Sequence, residues 1–183
     1  VGYFRLEHTN FDLFSPPRSL TDWSDAFVGG GQSIYAEIIP GNVESQYMFG
    51  FHEPYLFSSD RTFTLRAGSQ KFYRGAYEES RVKTEPEARQ YLDSDHHLSL
   101  ALAWRLDDVS LGGISTSAPS AIATTPGSIL LSYPRLSLRY AELENNIYGG
   151  PKGLLAELKL DAAGPATGSD IEFFRGSASA DYY

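Results

Sequence analysis

Residues 29–42 read GGGQSIYAEIIPGN, and residues 46–57 read QYMFGFHEPYLF. In the first segment Ile34, Ala36 and Ile38 alternate with more polar residues, and aromatic residues alternate in the same way in the second. Successive side chains of a β-strand point to opposite faces, so a period of two indicates strands with one apolar face each. The Pro-Gly-Asn sequence between them favours a tight turn. The pair is therefore predicted to form a β-hairpin.

The same pattern extends through the whole chain. The clearest example is residues 98–106, in which alternate residues are leucine or tryptophan and the residues between them are small or basic. Residues 77–91 alternate more weakly and are very polar. Nine strands are predicted, at residues 1–8, 32–39, 46–57, 61–73, 77–91, 98–106, 128–140, 153–160 and 171–183.

The segments between the predicted strands are rich in turn-forming residues. Residues 15–25 and 145–151 contain proline, glycine, asparagine or serine, and residues 112–127 are rich in small residues and proline. These compositions favour loops. Residues 85–92 are compatible with at most a turn or two of helix, with Pro86 near its start. The fold class is therefore predicted to be all-β.

Composition excludes several classes of protein. The chain has 183 residues, a net charge of −8 and no cysteine. Scattered basic residues and an acidic balance argue against nucleic acid as a partner, and the absence of cysteine excludes disulfides and thiolate metal sites. No apolar run approaches the ~20 residues of a membrane-spanning helix, a feature that β-barrels do not need.

Alternation alone fits either a transmembrane β-barrel or a soluble sandwich or ligand-binding barrel. Three details favour the membrane. The polar faces are rich in Gly, Ser, Thr, Arg and Glu, as a wet interior requires; many segments match the ~9–11 residues of a tilted crossing; and aromatic residues gather at segment ends, as at Tyr55, Phe57 and Tyr73. Leu98, Leu100, Leu102 and Trp104 are accordingly predicted to face lipid.

Several motifs follow one another along the chain, namely NFDLF at residues 10–14, GGQS at 30–33, HEPYLF at 52–57, LRYAELENN at 138–146 and GPKG at 150–153. In this order they resemble the barrel of BamA-like outer-membrane assembly factors of the bacterial surface antigen superfamily. Residues 169–183 are similar to the family's next strand. Within this resemblance Glu53, Pro54, Tyr55 and Phe57 form the motif at a strand end, with Glu53 expected near water or an arginine such as Arg66.

The resemblance implies a function and a setting. It implies a factor of the bacterial cell outer membrane that folds and inserts other outer-membrane proteins, working with lipids, unfolded clients and accessory assembly lipoproteins. It implies about sixteen strands in a complete barrel, so residues 1–183 are expected to form a single partial domain from the first half, without POTRA domains or the second half. Strand-like patterns at both ends favour the same interpretation. The alternatives are a passive porin or another small outer-membrane barrel protein.

The chain also departs from the family pattern. His52 stands where Thr or Asp commonly precedes Glu-Pro, residues 140–143 read YAEL in place of an Asp-Thr-Arg-Asp pattern, and the Arg-Gly-Phe motif of a later inward-folded loop is absent.

No residue pattern indicates an enzyme, a cofactor site or a metal site. His52 lies beside Glu53 without a further ligand in the sequence pattern, and His96 and His97 are neighbours that a strand would direct to opposite faces. His96 and His97 are predicted to lie in a solvated turn. The serines lack a Gly-x-Ser-x-Gly setting, and the glycine run at 29–31 lacks the Lys-Ser/Thr of a phosphate loop.

Overall fold

Antiparallel strands make up most of the computed structural model, which describes residues 2–17, 19, 21, 26–124, 127–146 and 150–183. The strands follow one another across a single sheet in chain order. They are β1 (Phe4–Phe11), β2 (Gln32–Ile39), β3 (Glu44–Glu53), β4 (Arg61–Tyr73), β5 (Glu78–Tyr91), β6 (Leu98–Gly112), β7 (Ser128–Asn146), β8 (Gly150–Ala163) and β9 (Phe173–Tyr182). The prediction of an all-β antiparallel sheet of about nine strands, part of a larger barrel wall, is confirmed.

Helical structure is minor. A four-residue helix α1 (Ser120–Ala123) lies between β6 and β7, and a 3₁₀ helix (Pro165–Thr167) lies between β8 and β9. In the described part of the chain, no helix has the length and apolar character needed to cross a membrane.

Three sequence predictions need correction. Residues 85–92 form no helical turn, because Pro86 lies inside β5 and pairs in register with Leu65 of β4. β6 continues to Gly112, beyond its clear alternation. The predicted connection at 145–151 is largely strand, because β7 and β8 stay paired out to Asn146 and Gly150; the remaining residues, 147–149, lie outside the described part.

The two faces of the sheet differ sharply in crowding. On β6, Ala103 is 3% exposed and Ala101 is also buried, whereas the neighbouring Leu102 is 57% exposed. Side chains crowd together on the concave face of a curved sheet and spread apart on the convex face. We therefore call the face of Ala101 and Ala103 the inner face and that of Leu102 the outer face.

The buried residues are not those of an ordinary core. Among the described residues, the buried set is mainly small or polar and includes Gln32, Ser99, Ser137 and Asp161. Most of the exposed large apolar residues of the strands, such as Leu102 and Leu138, lie instead on the outer face. This distribution reverses the usual preference of apolar side chains for the interior of a water-soluble domain.

Close packing on the inner face is visible where β2 meets β3. Tyr35 and Gly50 are register partners, and a Cβ added at Gly50 would lie 2.0 Å from Cε1 of Tyr35. The glycine therefore makes room for the tyrosine ring, over which the Arg5 guanidinium lies 5.1 Å from the centroid.

The loop between β8 and β9 covers an edge of β7 that β8 leaves free. Pairing of β7 with β8 begins only at Arg135, directly after Pro134, which has no N–H to donate. On the other side of Pro134, Asp170 bonds to the β7 backbone in place of β8. Its N–H donates to the carbonyl oxygen of Leu130 at 2.8 Å, and its Oδ2 accepts from the N–H of Leu130 at 2.7 Å. Thr167 Oγ1 also donates to the carbonyl oxygen of Ser132 at 2.5 Å.

Candidate functional site: a barrel wall with two faces

An apolar stripe runs across the outer face of the later strands. On β6 it contains Leu98, Leu100, Leu102 and Trp104, the residues predicted to face lipid. Leu100, Leu102 and Trp104 are exposed and Leu98 is half-buried. Register places Leu100 beside Leu138 of β7, which in turn lies beside Leu158 of β8. The stripe therefore crosses three strands without a charged residue in this row, although contact with lipid stays a prediction.

The Trp104 indole has both an apolar and a polar contact. Its ring lies on the outer face opposite Pro134, and its Nε1 donates a hydrogen bond to Ser132 Oγ at 3.1 Å. The single polar group of the side chain is thus satisfied within the sheet. An outer-face indole with an internally bonded N–H can lie in an apolar medium without an unpaired donor.

The inner face carries a row of charged side chains that spans six strands. We call it the inner ion row, and its members are Arg66, Glu85, Arg105, Arg135, Asp161 and Arg175 on β4 to β9 in that order. It contains four guanidinium groups and two carboxylates.

Glu85 joins the first half of the row. Its Oε1 accepts a hydrogen bond from Arg66 Nη1 at 2.9 Å. Its Oε2 lies 2.8 Å from Arg105 Nε and 3.9 Å from Arg135 Nη1, within ion-pair distance of both. One carboxylate on β5 therefore contacts arginines of β4, β6 and β7.

Asp161 joins the second half. Its side chain is 2% exposed, and it accepts from Nε of Arg135 at 2.7 Å and from Nη2 of Arg135 at 3.0 Å. Arg175 donates to the same carboxylate from Nε at 3.0 Å and also from Nη2. A buried carboxylate held by two arginine forks satisfies the requirement that buried charges be paired and hydrogen-bonded.

The strand-end motif adopts a specific local geometry. β3 ends at Glu53, and Pro54 follows it. Glu53 Oε2 accepts from Gln32 Nε2 at 2.5 Å, and its Oε1 accepts from the N–H of Tyr55 at 2.9 Å. Gln32 Oε1 in turn accepts from the N–H of Leu13 at 2.8 Å. Glu53 therefore connects the end of β3 to Gln32 at the start of β2, and Gln32 connects both to the loop after β1.

Arg66, the arginine suggested for Glu53 by the sequence, bonds to Glu85 instead. The reason is the alternation of the strand: Glu53 shares the outer-face parity of its register partner Phe63, whereas Arg66 lies on the inner face. The aromatic residues of the motif point away from the sheet, since Tyr55 is exposed and Phe57 is 92% exposed with a φ of 64°.

The glycines before β2 allow the first loop to lie close to β1. Gly30 has no room for a side chain, because an added Cβ would lie 2.9 Å from the carbonyl oxygen of Phe11. Phe11 stacks on Phe27 with ring centroids 5.5 Å apart, and the N–H of Asp12 donates to the carbonyl oxygen of Phe27 at 2.8 Å. The glycine run thus has a structural use in this corner.

His52 lies on a different part of the sheet from the adjacent residues His96 and His97. His52 is on the inner face of β3, where Nδ1 is 3.0 Å from Thr64 Oγ1. His96 and His97 lie in the turn between β5 and β6, with His96 stacked on Tyr91 at 4.3 Å between ring centroids. Within the residues that the structure describes, no three His, Asp or Glu side chains are grouped so that they could hold a metal ion.

Two turns hold carboxylates whose pKa values are lowered. In the β5–β6 turn, burial acts to raise the pKa of Asp93, but hydrogen bonds from the backbone N–H groups of Leu98 and His97 outweigh it and hold the pKa below its ordinary value. In the β3–β4 loop, a hydrogen bond from Gln90 lowers the pKa of Asp60. Both carboxylates brace turns at the same end of the sheet.

The sequence did not indicate that the side chains of Gln32, Glu85 and Asp161 would connect different strands of the sheet. Each is joined to partners on other strands that lie far away in the sequence, and alternation reports only the face of a residue. For Glu85 and Asp161 a signal was nevertheless present: charged residues of opposite sign occupy inner-face positions of successive strands.

These observations define a segment of antiparallel β-barrel wall with an apolar outer face and an ionic inner face. Comparison with family models matches residues 27–183 to the Omp85 superfamily domain. The chain belongs to the Omp85 superfamily, which confirms the resemblance to BamA-like proteins at the level of the superfamily. No curated protein matches the chain.

Proposed function

We propose that this chain forms part of the barrel of a bacterial outer-membrane assembly factor, which helps unfolded outer-membrane proteins to fold and insert. The observation that carries the proposal is the two-faced wall within an Omp85 superfamily domain. This superfamily is associated with the assembly of outer-membrane proteins, and its members act on unfolded clients in a lipid environment.

The wall supports a location in the outer membrane. A membrane-spanning barrel needs apolar side chains toward lipid and polar ones toward its interior. Leu100, Leu102 and Trp104 provide the first, and the inner ion row provides the second. A soluble ligand-binding barrel would place its apolar face inward, opposite to the arrangement found here.

The proposed action needs no covalent chemistry, nucleotide or cofactor. A client strand pairs with an edge of the barrel through backbone hydrogen bonds, which is β-augmentation. Each further strand then pairs with the previous one, and the client closes when its own edges meet. Strand pairing and burial of apolar area by the client supply the free energy. Accessory lipoproteins are candidate partners in delivering clients.

A passive porin is the second candidate, favoured by one observation. The inner face is ionic, and a water-filled channel requires a polar lining. A porin would conduct ions through this lining and would leave the folding rate of other barrels unchanged.

Reconstitution of the full-length protein into lipid vesicles separates these functions. The vesicles receive an unfolded eight-stranded client barrel, and folding is followed by its change in gel mobility; vesicles with an unrelated porin provide the control. We expect faster client folding than in the control vesicles. Ion leakage with an unchanged client folding rate would support the porin and refute the assembly function.

A further inference from the structure

A concavity opens on the inner face where β4 carries a glycine. Gly68 is the register partner of Lys83 on β5, and a Cβ added at Gly68 would lie 3.0 Å from the carbonyl oxygen of Tyr47. The concavity has a volume of about 240 Å³, enough for the carboxyl-bearing end of an acidic side chain. We call it the Gly68 notch; its charged lining residues are Arg66, Arg81, Lys83, Glu85 and Arg105.

The charges that line the Gly68 notch do not balance. Four of them are basic and one is acidic. Glu85, the acidic one, already accepts a hydrogen bond from Arg66 at Oε1 and forms an ion pair with Arg105 at Oε2. Arg81 pairs with Glu79, which lies outside the lining. Positive charge therefore remains in a recess that is open on one side.

Among the described residues, Lys83 is the cation of the notch lining that has no counter-ion. Its side chain is half-buried, and it forms no ion pair with any residue that the structure describes. Its register neighbour on β6 is Asp107, but the two charges are not within ion-pair distance, and the buried Oδ1 of Asp107 has no hydrogen-bond partner in the described part. A partly buried ammonium group is stabilised when an anion approaches it.

We propose that the Gly68 notch binds the carboxylate of an aspartate or glutamate on a polypeptide segment that lies inside the barrel. Lys83 supplies the point charge, and Arg66 and Arg105 supply planar donor forks suited to a carboxylate. Lipid headgroups are less suitable, because the notch lies on the face opposite the apolar stripe. The acidic segment belongs either to this protein itself or to a client.

The proposal depends on the barrel-wall fold and not on the assembly function, because a carboxylate can bind inside a porin as well. The experiments below measure occupancy of the notch and not client folding. If these experiments fail, the proposed assembly function is not contradicted. If the client-folding assay fails, the proposed carboxylate site is not contradicted.

Carbodiimide cross-linking of the full-length protein in detergent micelles tests for an internal segment. The reagent activates a carboxylate, the Lys83 amine attacks it, an amide bond forms and the reagent leaves as a urea. We expect mass spectrometry to find Lys83 joined to an Asp or Glu outside β4 to β6. A link to Asp107 alone would overturn the proposal, because Lys83 would then be neutralised by its own neighbour.

If Lys83 forms no internal link, a fluorescent acidic peptide tests for the client as source, with a peptide carrying Asn and Gln as its matched control. We expect only the acidic peptide to bind, and Lys83→Gln to weaken binding about tenfold, as expected for loss of one charge-assisted hydrogen bond. Lys83→Arg keeps the charge and should retain binding. Lys71→Gln is the control, because Lys71 pairs with Glu78 at 2.7 Å outside the notch.

Three results of the peptide experiment would overturn the proposal. The first is that neither peptide binds, and the second is that the two peptides bind equally well. The third is that inorganic phosphate displaces the acidic peptide completely and binds with the same affinity as the peptide. The last result would show a general anion site without preference for a polypeptide carboxylate.

Discussion

Arg135 and Asp161 form a two-point ion pair between neighbouring strands, with Nε to Oδ1 at 2.7 Å and Nη2 to Oδ2 at 3.0 Å. They are direct register partners of β7 and β8. Because Arg175 of β9 bonds to the same carboxylate, one buried aspartate joins the last three strands. Asp161 is therefore the ionic link between β7, β8 and β9 on the inner face.

Asp161→Ala should destabilise the protein by about 3 kcal/mol, because it leaves Arg135 without its main counter-ion in a crowded site. Urea titration of the vesicle-reconstituted full-length protein measures the loss. Glu157→Gln is the control: Glu157 lies on the same strand but pairs with a more exposed Lys159, so a loss below about 1 kcal/mol is expected. Equal losses would show that Asp161 has no special role.

Arginine substitutions on opposite faces should have different costs. Leu102→Arg places a charge in the outer apolar stripe and should cost about 2–4 kcal/mol if this position lies near the bilayer midplane. Ser179→Arg places the same side chain on the inner face beside its register partner Glu157 and should cost less than about 1 kcal/mol. Folding titrations in vesicles measure both values, and a larger loss for Ser179→Arg would reverse the assigned faces.

Glu85 should compensate for a gap in backbone pairing. The register between β5 and β6 passes from Thr84 to Glu87 without partners for Glu85 and Pro86, and proline has no N–H to donate. Glu85→Gln should cost about 1–2 kcal/mol and increase hydrogen exchange at Arg105 and its neighbours. Glu87→Gln, which loses only a bond to Arg89 on its own strand, should leave exchange there unchanged. Unchanged exchange in both variants would contradict the compensating role.

The sequence predicted strands well wherever one face is uniformly apolar. β6 is the clearest case, because Leu100, Leu102 and Trp104 alternate with small residues that fit the crowded inner face. β5 gave a weak signal because its inner positions are charged and its outer face includes Pro86. Glu85 of β5 pairs with Arg66 and Arg105, which lie on other strands. No local sequence pattern reveals such pairing.

The motif at the end of β3 shows the same limit. Its position near a strand end follows from Pro54, since proline cannot donate to the ladder. The partner of Glu53 could not be predicted, because Gln32 is brought to it only by the register between β2 and β3. Sequence patterns therefore give faces and strand ends, whereas side-chain partners depend on how the strands are aligned.

The turn between β5 and β6 should loosen in acid. Asp93 accepts from the N–H groups of Leu98 at 2.7 Å and His97 at 3.0 Å, and its pKa is lowered in the folded protein. Its stabilising contribution is therefore complete above the unfolded pKa of about 4 and is lost as the pH falls through the lower folded pKa. Hydrogen exchange of the Leu98 amide, corrected for intrinsic rates, should rise in this range. Asp93→Asn should remove the pH dependence, whereas Asp95→Asn should retain it.

Phe57 should lie at the boundary between lipid and water. It is 92% exposed in a loop that follows Pro54 and has a φ of 64°, so the backbone holds a large apolar ring away from the sheet. Aromatic residues at strand ends are favoured at the membrane interface, where one side is apolar and the other is wet. A spin label at position 57 of the reconstituted protein should be relaxed by a headgroup-level lipid probe. A label at position 95, in the β5–β6 turn, should respond more strongly to an aqueous relaxation agent. Relaxation of position 57 by the aqueous agent alone would place this loop in water and remove the motif from the membrane boundary.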